Sequence, residues 1–144
     1  MASPYRPPPV QSATDPVHSP ADLGQRWRAL VGPLGFGEHL LWFAFVGPDR
    51  RMIKALHQIP IPDAPRPRYG EELFGQLREV LDDLGPRTTV ALLVTRPGVG
   101  AISNADRRWA TMLIQAARRF DVPIEPIFRA DDTSLVLVDP RGQG

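Results

Sequence analysis

Thr88-Thr89-Val90-Ala91-Leu92-Leu93-Val94-Thr95 runs into Arg96-Pro97-Gly98-Val99-Gly100-Ala101-Ile102 and then into Ser103-Asn104-Ala105-Asp106. The first segment is short, β-branched and uncharged, the composition of a strand covered on both faces in the middle of a sheet. Gly98 and Gly100 suit a tight strand-to-helix connection. Ser103 followed three residues later by Asp106 has the spacing of a capping box, in which a hydroxyl and an acid satisfy the free amides of a helix start. Trp109, Leu113, Ala116 and Phe120 then share one face of that helix.

Working outward, Tyr69 to Leu84 carries Leu73, Leu77, Val80, Leu81 and Leu84 at helical spacing and stops at Gly85-Pro86. Before it, Pro60 to Arg68 holds four prolines and is expected to be an extended connection. His39 to Val46 reads as a buried strand, Gly47-Pro48-Asp49-Arg50 as a turn, and Arg51 to Ile59 as the antiparallel return. Pairing Val46 with Arg51 sets His39 opposite Gln58 and puts the His39 and His57 rings on opposite faces. Ser19-Pro20-Ala21-Asp22 opens an earlier helix with Leu23, Trp27 and Leu30 on one side, ending near Gly32-Pro33. Toward the other end, Val122 to Phe128 and Ser134 to Val138 read as strands around an Asp131-Asp132 turn. The expected order is α-β-β-α-β-α-β-β. It describes an α/β (α+β) domain with a single mixed β-sheet of about five strands flanked by helices.

Three divisions follow. Residues 1–19, with Pro4, Pro7, Pro8, Pro9 and Pro16 and few large apolar side chains, are expected to form a disordered proline-rich tail. Residues 20–140 form the single domain, and 141–144 a disordered end. Arg6-Pro7-Pro8-Pro9 also has the form of a polyproline ligand. The 144 residues include no cysteine, which excludes disulfides, thiolate metal sites and cysteine catalysis. With no apolar signal core at the start and no apolar run longer than Leu40 to Val46, the expectation is a cytoplasmic chain that does not enter a membrane.

A net charge of +1 gives no global field that selects nucleic acid or an acidic membrane. All the basic residues but Lys54 are arginine, which suits bidentate recognition of carboxylate or phosphate and equally reflects GC-rich coding in a chain rich in Ala, Pro and Gly. Asp82-Asp83 and Asp131-Asp132 are adjacent acids whose side chains diverge, poor partners for acid/base work. His18, His39 and His57 read as ordinary histidines. Neither Gly-x-Ser-x-Gly nor a phosphate-binding P-loop occurs.

The element order and the run Leu92 to Asp106 resemble the RadC-like branch of the JAB/MPN metallopeptidase-like fold, over about Glu38 to Val138. In that family an apolar strand leads into His-x-His-Pro, a Ser- and Gly-containing loop, Ser-x-x-Asp and a helix; Pro97, Ser103 and Asp106 match. The Phe120 to Ile124 stretch and the strand Ser134 to Val138 resemble the family's ending. The resemblance implies a zinc site held by two imidazoles and one carboxylate, and here Val94 and Arg96 stand where the imidazoles belong. A valine has no lone pair, and a guanidinium repels a cation. The expectation is a fold without the family's zinc chemistry: a pseudoenzyme with no catalytic residue, metal or cofactor. Its role is then that of an interaction or scaffold domain with a protein partner, and homo-oligomers are allowed. The alternative is an anion site for a phosphate, nucleotide or nucleic acid, built from Arg96, Gly98, Gly100, Ser103 and Arg107 at the helix N-terminus. Arg108, Arg118 and Arg119 would extend it for nucleic acid. A divergent hydrolase ranks last.

Overall fold

In the computed structural model the described residues are 8–53 and 55–139. A 3-10 turn, Val10–Thr14, precedes α1 (Pro20–Val31), β1 (Leu40–Val46), β2 (His57–Pro60), α2 (Pro67–Leu84), β3 (Thr89–Thr95), α3 (Asn104–Arg119), β4 (Phe128–Ala130) and β5 (Leu135–Leu137). The strands form one mixed five-stranded sheet in the order β2-β1-β3-β4-β5. All neighbours pair antiparallel except β3 and β4, which are parallel and joined through α3. The fold class and element order expected from the residues are those observed. Among the described residues no helix is long and apolar enough to cross a membrane.

Strand β3 is the hub because its alternating side chains feed two cores. Val90, Leu92 and Val94 join Leu41 and Phe45 of β1 against Phe74 and Leu77 of α2 and Trp109 and Leu113 of α3. Ala91 and Leu93 join Ala44, Val46, Phe128 and Ala130 against Leu23 and Trp27 of α1, with Val17 and Met52. Both faces are therefore covered, which is why the strand carries no charge.

Both Ser caps form. Ser19 Oγ accepts from the Asp22 N–H, and Ser103 and Asp106 make the full reciprocal box. Helices α2 and α3 approach closely at Gly70, where an added Cβ would lie 2.9 Å from Ala116 Cβ and 2.6 Å from Met112 Sδ. Gly70→Ala should therefore lower stability by about 1–2 kcal/mol in chemical denaturation, although alanine is the better helix former by about 1 kcal/mol. A stabilised variant would mean that the helices separate without cost.

Three expectations need correction. Residues 1–19 are not a solvated tail throughout: Val10–Thr14 is a 3-10 turn, and Ala13 and Val17 are buried. Arg26 donates to Ser12 O, Arg51 to Thr14 O, and Val17 exchanges hydrogen bonds with Arg50. Val10, Ala13 and Val17 supply the apolar surface that a proline count conceals. Residues 1–7 and 140–144 lie outside the described residues, as does Lys54.

The hairpin return is the second. Val46 bridges to Met52, yet Phe43 pairs with His57, so five steps on the return oppose three on β1. The two extra residues put His57 beside Phe43, ring stacked on ring at 4.9 Å, while His39 meets Trp109 edge-on. The bridge of Val46 to Met52 in place of Arg51 is the odd shift that turns both histidines toward α2 and α3 rather than to opposite sides, four residues apart along β1.

Third, Val122 to Phe128 is not a continuous strand. Pro123 and Pro126 have no N–H to donate. Only Ile124 bridges to Val90, and ladder pairing starts at Phe128.

Candidate functional site

The C-terminal end of β3, the loop 96–102 and the first turn of α3 meet the end of β4 and its turn. Because β4 runs parallel to β3, Val94 sits beside Arg129 and Thr95 beside Ala130. Arg96, the residue after β3, turns back onto the helix start: its Nε lies 3.0 Å from Asp106 Oδ1 and its Nη2 3.0 Å from Oδ2. Asp106 Oδ2 also accepts the Ser103 N–H at 2.9 Å, and Ser103 Oγ accepts the Asp106 N–H at 3.1 Å. One carboxylate thus caps α3 and holds Arg96.

Below it lies a second cation. Arg129 is 1% exposed and Asp131 is fully buried. Arg129 Nη1 lies 2.7 Å from Asp131 Oδ2, and its Nε lies 3.5 Å from Asp106 Oδ2. Asp131 Oδ1 accepts the N–H groups of Thr133 and Ser134 and the Ser134 hydroxyl. Charges therefore alternate from Arg96 through Asp106 and Arg129 to Asp131, and each buried ion has an opposite neighbour, the arrangement that makes burial tolerable.

The glycine loop is tied to the same acids. Gly98 N–H donates to Asp132 Oδ2 at 3.0 Å and Gly100 N–H to Asp131 Oδ2 at 3.2 Å, while Gly100 O accepts from Arg129 Nη2 at 3.0 Å. Gly98 and Gly100 have φ of 101° and 154°, so the first, above all, suits a residue without a Cβ. The adjacent acids Asp131 and Asp132 do diverge, one into the interior and one to the surface, and both end on this loop.

Of the residues expected to form an anion site, Arg96, Gly98, Gly100 and Ser103 come together. Arg107 does not join them: its guanidinium reaches back along the helix to Asn104 Oδ1 at 3.3 Å. The amides and the guanidinium are already engaged by the protein's own carboxylates. Sequence reasoning missed Arg129, Asp131 and His39. The signal for the first was a lone charge inside Ile127-Phe128-Arg129-Ala130, where an apolar strand residue is expected, followed directly by two acids.

Above the network is an open cleft of about 440 Å³, lined by His39, Asp63, Arg96, Val99, Ser103 and Asp106 among others. His39 Nδ1 is buried and lies 3.4 Å from the exposed Asp63 Oδ1, too far and too wet for a strong ion pair. Burial holds the His39 pKa below its usual 6.5 and outweighs the opposing pull of Asp63. Asp106 is pushed up by burial and down by Arg96 and the Ser103 amide, and the downward effects win. Asp131 behaves likewise through Thr133, Ser134 and Arg129. Among the described residues no group of three or more His, Cys, Asp and Glu is placed to hold a metal ion, and no hydrogen bond links Ser103 Oγ to an imidazole.

No protein-family model matches this chain, and no curated protein matches it significantly.

The shifts give a signed pH prediction. Below pH 6.5 the unfolded chain binds a proton at His39 more readily than the folded one, so stability falls as pH drops through this window. Asp106 and Asp131 have folded values below 3.8, so their contribution is intact above that value and is lost as pH falls further. Urea midpoints measured from about pH 8 to pH 3 should decline in two stages, and His39→Gln should remove the first. A wild-type midpoint that is flat between about pH 7 and pH 5 would contradict the burial of His39.

Proposed function

We propose that this chain is a non-catalytic interaction domain on a JAB/RadC-like architecture, with a structural ion network where the family holds its metal. The observation that carries this reading is the bidentate Arg96–Asp106 pair. These two residues occupy positions that the resemblance gives to an imidazole and a carboxylate ligand, and here they neutralise each other. A site that satisfies its own charges this fully has little binding energy left for a substrate. The absence of cysteine accords with a cytoplasmic setting.

Its protein-binding face, in this reading, is the groove of about 510 Å³ between the 3-10 turn and Met52, Ile53, Ala55 and Leu56. Val10, Ile53 and Leu56 are exposed there, and large apolar side chains grouped at a concave surface fit the apolar side chains of a protein partner. The test compares Ile53→Asp/Leu56→Asp with Arg96→Ala in affinity capture with mass spectrometry. The expected result is one partner held by wild type and Arg96→Ala and lost by the groove variant. Capture lost with Arg96→Ala and kept by the groove variant would reject the reading.

A nucleic-acid reading rests on α3. Of Arg107, Arg108, Arg118 and Arg119 on its outer side, Arg119 alone has an ion pair among the described residues, with Glu71 at 2.8 Å. Oligonucleotide binding that weakens steeply with salt and is lost in Arg108→Ala/Arg118→Ala would select it.

A further inference from the structure

The two edges of the sheet are unlike. In β2 the residues facing β1 are His57 and Ile59, because Ile61 N–H donates to His39 O and bonded residues alternate along the register. The outward ladder positions are Gln58 and Pro60, and Pro60 has no N–H. Pro62 follows two residues later. A proline at an outward position is a common device against edge pairing.

Strand β5 has no proline at an outward position, and the first charge at one is Asp139, two residues beyond Leu137. Val138 N–H donates to Ile127 O and Asp131 N–H to Ser134 O, so Val136 is the residue of β5 bonded to β4, opposite Arg129. The N–H and C=O groups of Leu135 and Leu137 point away from the sheet, and no partner for them occurs among the described residues. The stretch Ser134-Leu135-Val136-Leu137-Val138 contains no charge and no proline. Leu137 is 46% exposed, and a groove of about 560 Å³ lined by Ile114, Ile124, Pro126 and Leu137 together with Arg118 and Glu125 runs beside the same edge.

We propose that β5 is the pairing edge of a symmetric homodimer, in which the β5 strands of two copies join antiparallel and extend the sheet from one subunit into the other. The occupant must be an extended strand, because what is unpaired is a backbone ladder and not only apolar surface. A second copy fits it because Leu135-Val136-Leu137 reads the same in both directions. A twofold axis at Val136 sets Leu135 of each copy against Leu137 of the other, both at outward-facing ladder positions. Thr133 then faces Asp139, so no like charges are set directly opposite.

Sedimentation equilibrium of the full chain at high micromolar concentration should give twice the 16.0 kDa chain mass. Leu137→Pro removes an outward N–H, and Leu137→Lys puts a charge on the edge; each should weaken dimerisation at least tenfold while the thermal midpoint of the monomer holds. If the proline variant does not fold, the lysine variant decides, because its side chain is already half in solvent. Mixing Leu137→Lys with Leu137→Asp should restore a mixed dimer, since the two positions are diagonal neighbours across the paired strands. Wild type at the single-chain mass throughout, a dimer that persists in Leu137→Lys, or a dimer abolished by Ile53→Asp instead would each overturn the proposal.

Discussion

Arg129→Ala is expected to destabilise the fold by about 3–5 kcal/mol, a large part of the total stability of a domain of this size. The substitution deletes a buried guanidinium, strands one anion and weakens the setting of a second. Asp131 loses its 2.7 Å partner, and Asp106 loses the cation on its inner side. Asp106 keeps its bidentate pair with Arg96, but Asp131 is left with no cation and must take a proton or remain charged and unpaired in the interior. The loop loses its tie as well, since Gly100 O accepts from Arg129 Nη2. Urea denaturation reads the loss directly. The paired change Arg129→Met/Asp131→Asn should cost less than Arg129→Ala alone, because an uncompensated charge is worse than a neutral pair of similar volume. A loss below about 1 kcal/mol for Arg129→Ala would mean that Asp131 reaches solvent, contrary to its burial.

Trp109→Ala should cost a similar amount, about 3–5 kcal/mol, for a different reason. Trp109 is 1% exposed between the sheet and α2, and the void left by an indole cannot close when strands and helices on every side are fixed by other contacts. Its Nε1 also donates to Asp63 O at 3.1 Å, which fastens the proline-rich connection across the His39 end of β1. Trp109→Phe keeps most of the volume and loses that bond; because Asp63 is exposed, water can satisfy the freed carbonyl. The expected cost is then only about 1–2 kcal/mol, with faster amide exchange in residues 61–66 as the distinguishing readout. Equal losses for the two variants would assign the effect to the hydrogen bond rather than to packing.

What the residues disclosed, and what they hid, divides along physical lines. Period and capping are local: the apolar run 88–95, the Ser103–Asp106 box and the α2 stripe each specify an element within a few residues of themselves, and these elements came out as read, although Val80 and Leu84 of the stripe are exposed. Register is not local. Pairing Val46 with Met52 and not with Arg51 shifted the return by one residue and moved a ring from one face to the other; two further residues between Met52 and His57 moved it along the strand, and no turn signal marks either. The candidate site was half legible for the same reason. Arg96, Gly98, Gly100 and Ser103 are contiguous and were found together. Arg129 and Asp131 arrive from a parallel strand about thirty residues later, and the cation that completes the network was concealed in a stretch that looks like ordinary core. The arginine beside the glycines was identified as a hand open to a ligand; its carboxylate partner, already assigned to the helix cap, holds it closed.

The strand order has a consequence for how the chain is made. Once β1 and β2 have paired, each later strand joins beside one synthesised before it: β3 next to β1, β4 next to β3, β5 last. No strand must be threaded between two that have already met. A growing chain can therefore add its layers in the order in which they are synthesised, and every intermediate exposes a single growing rim until β5 is in place.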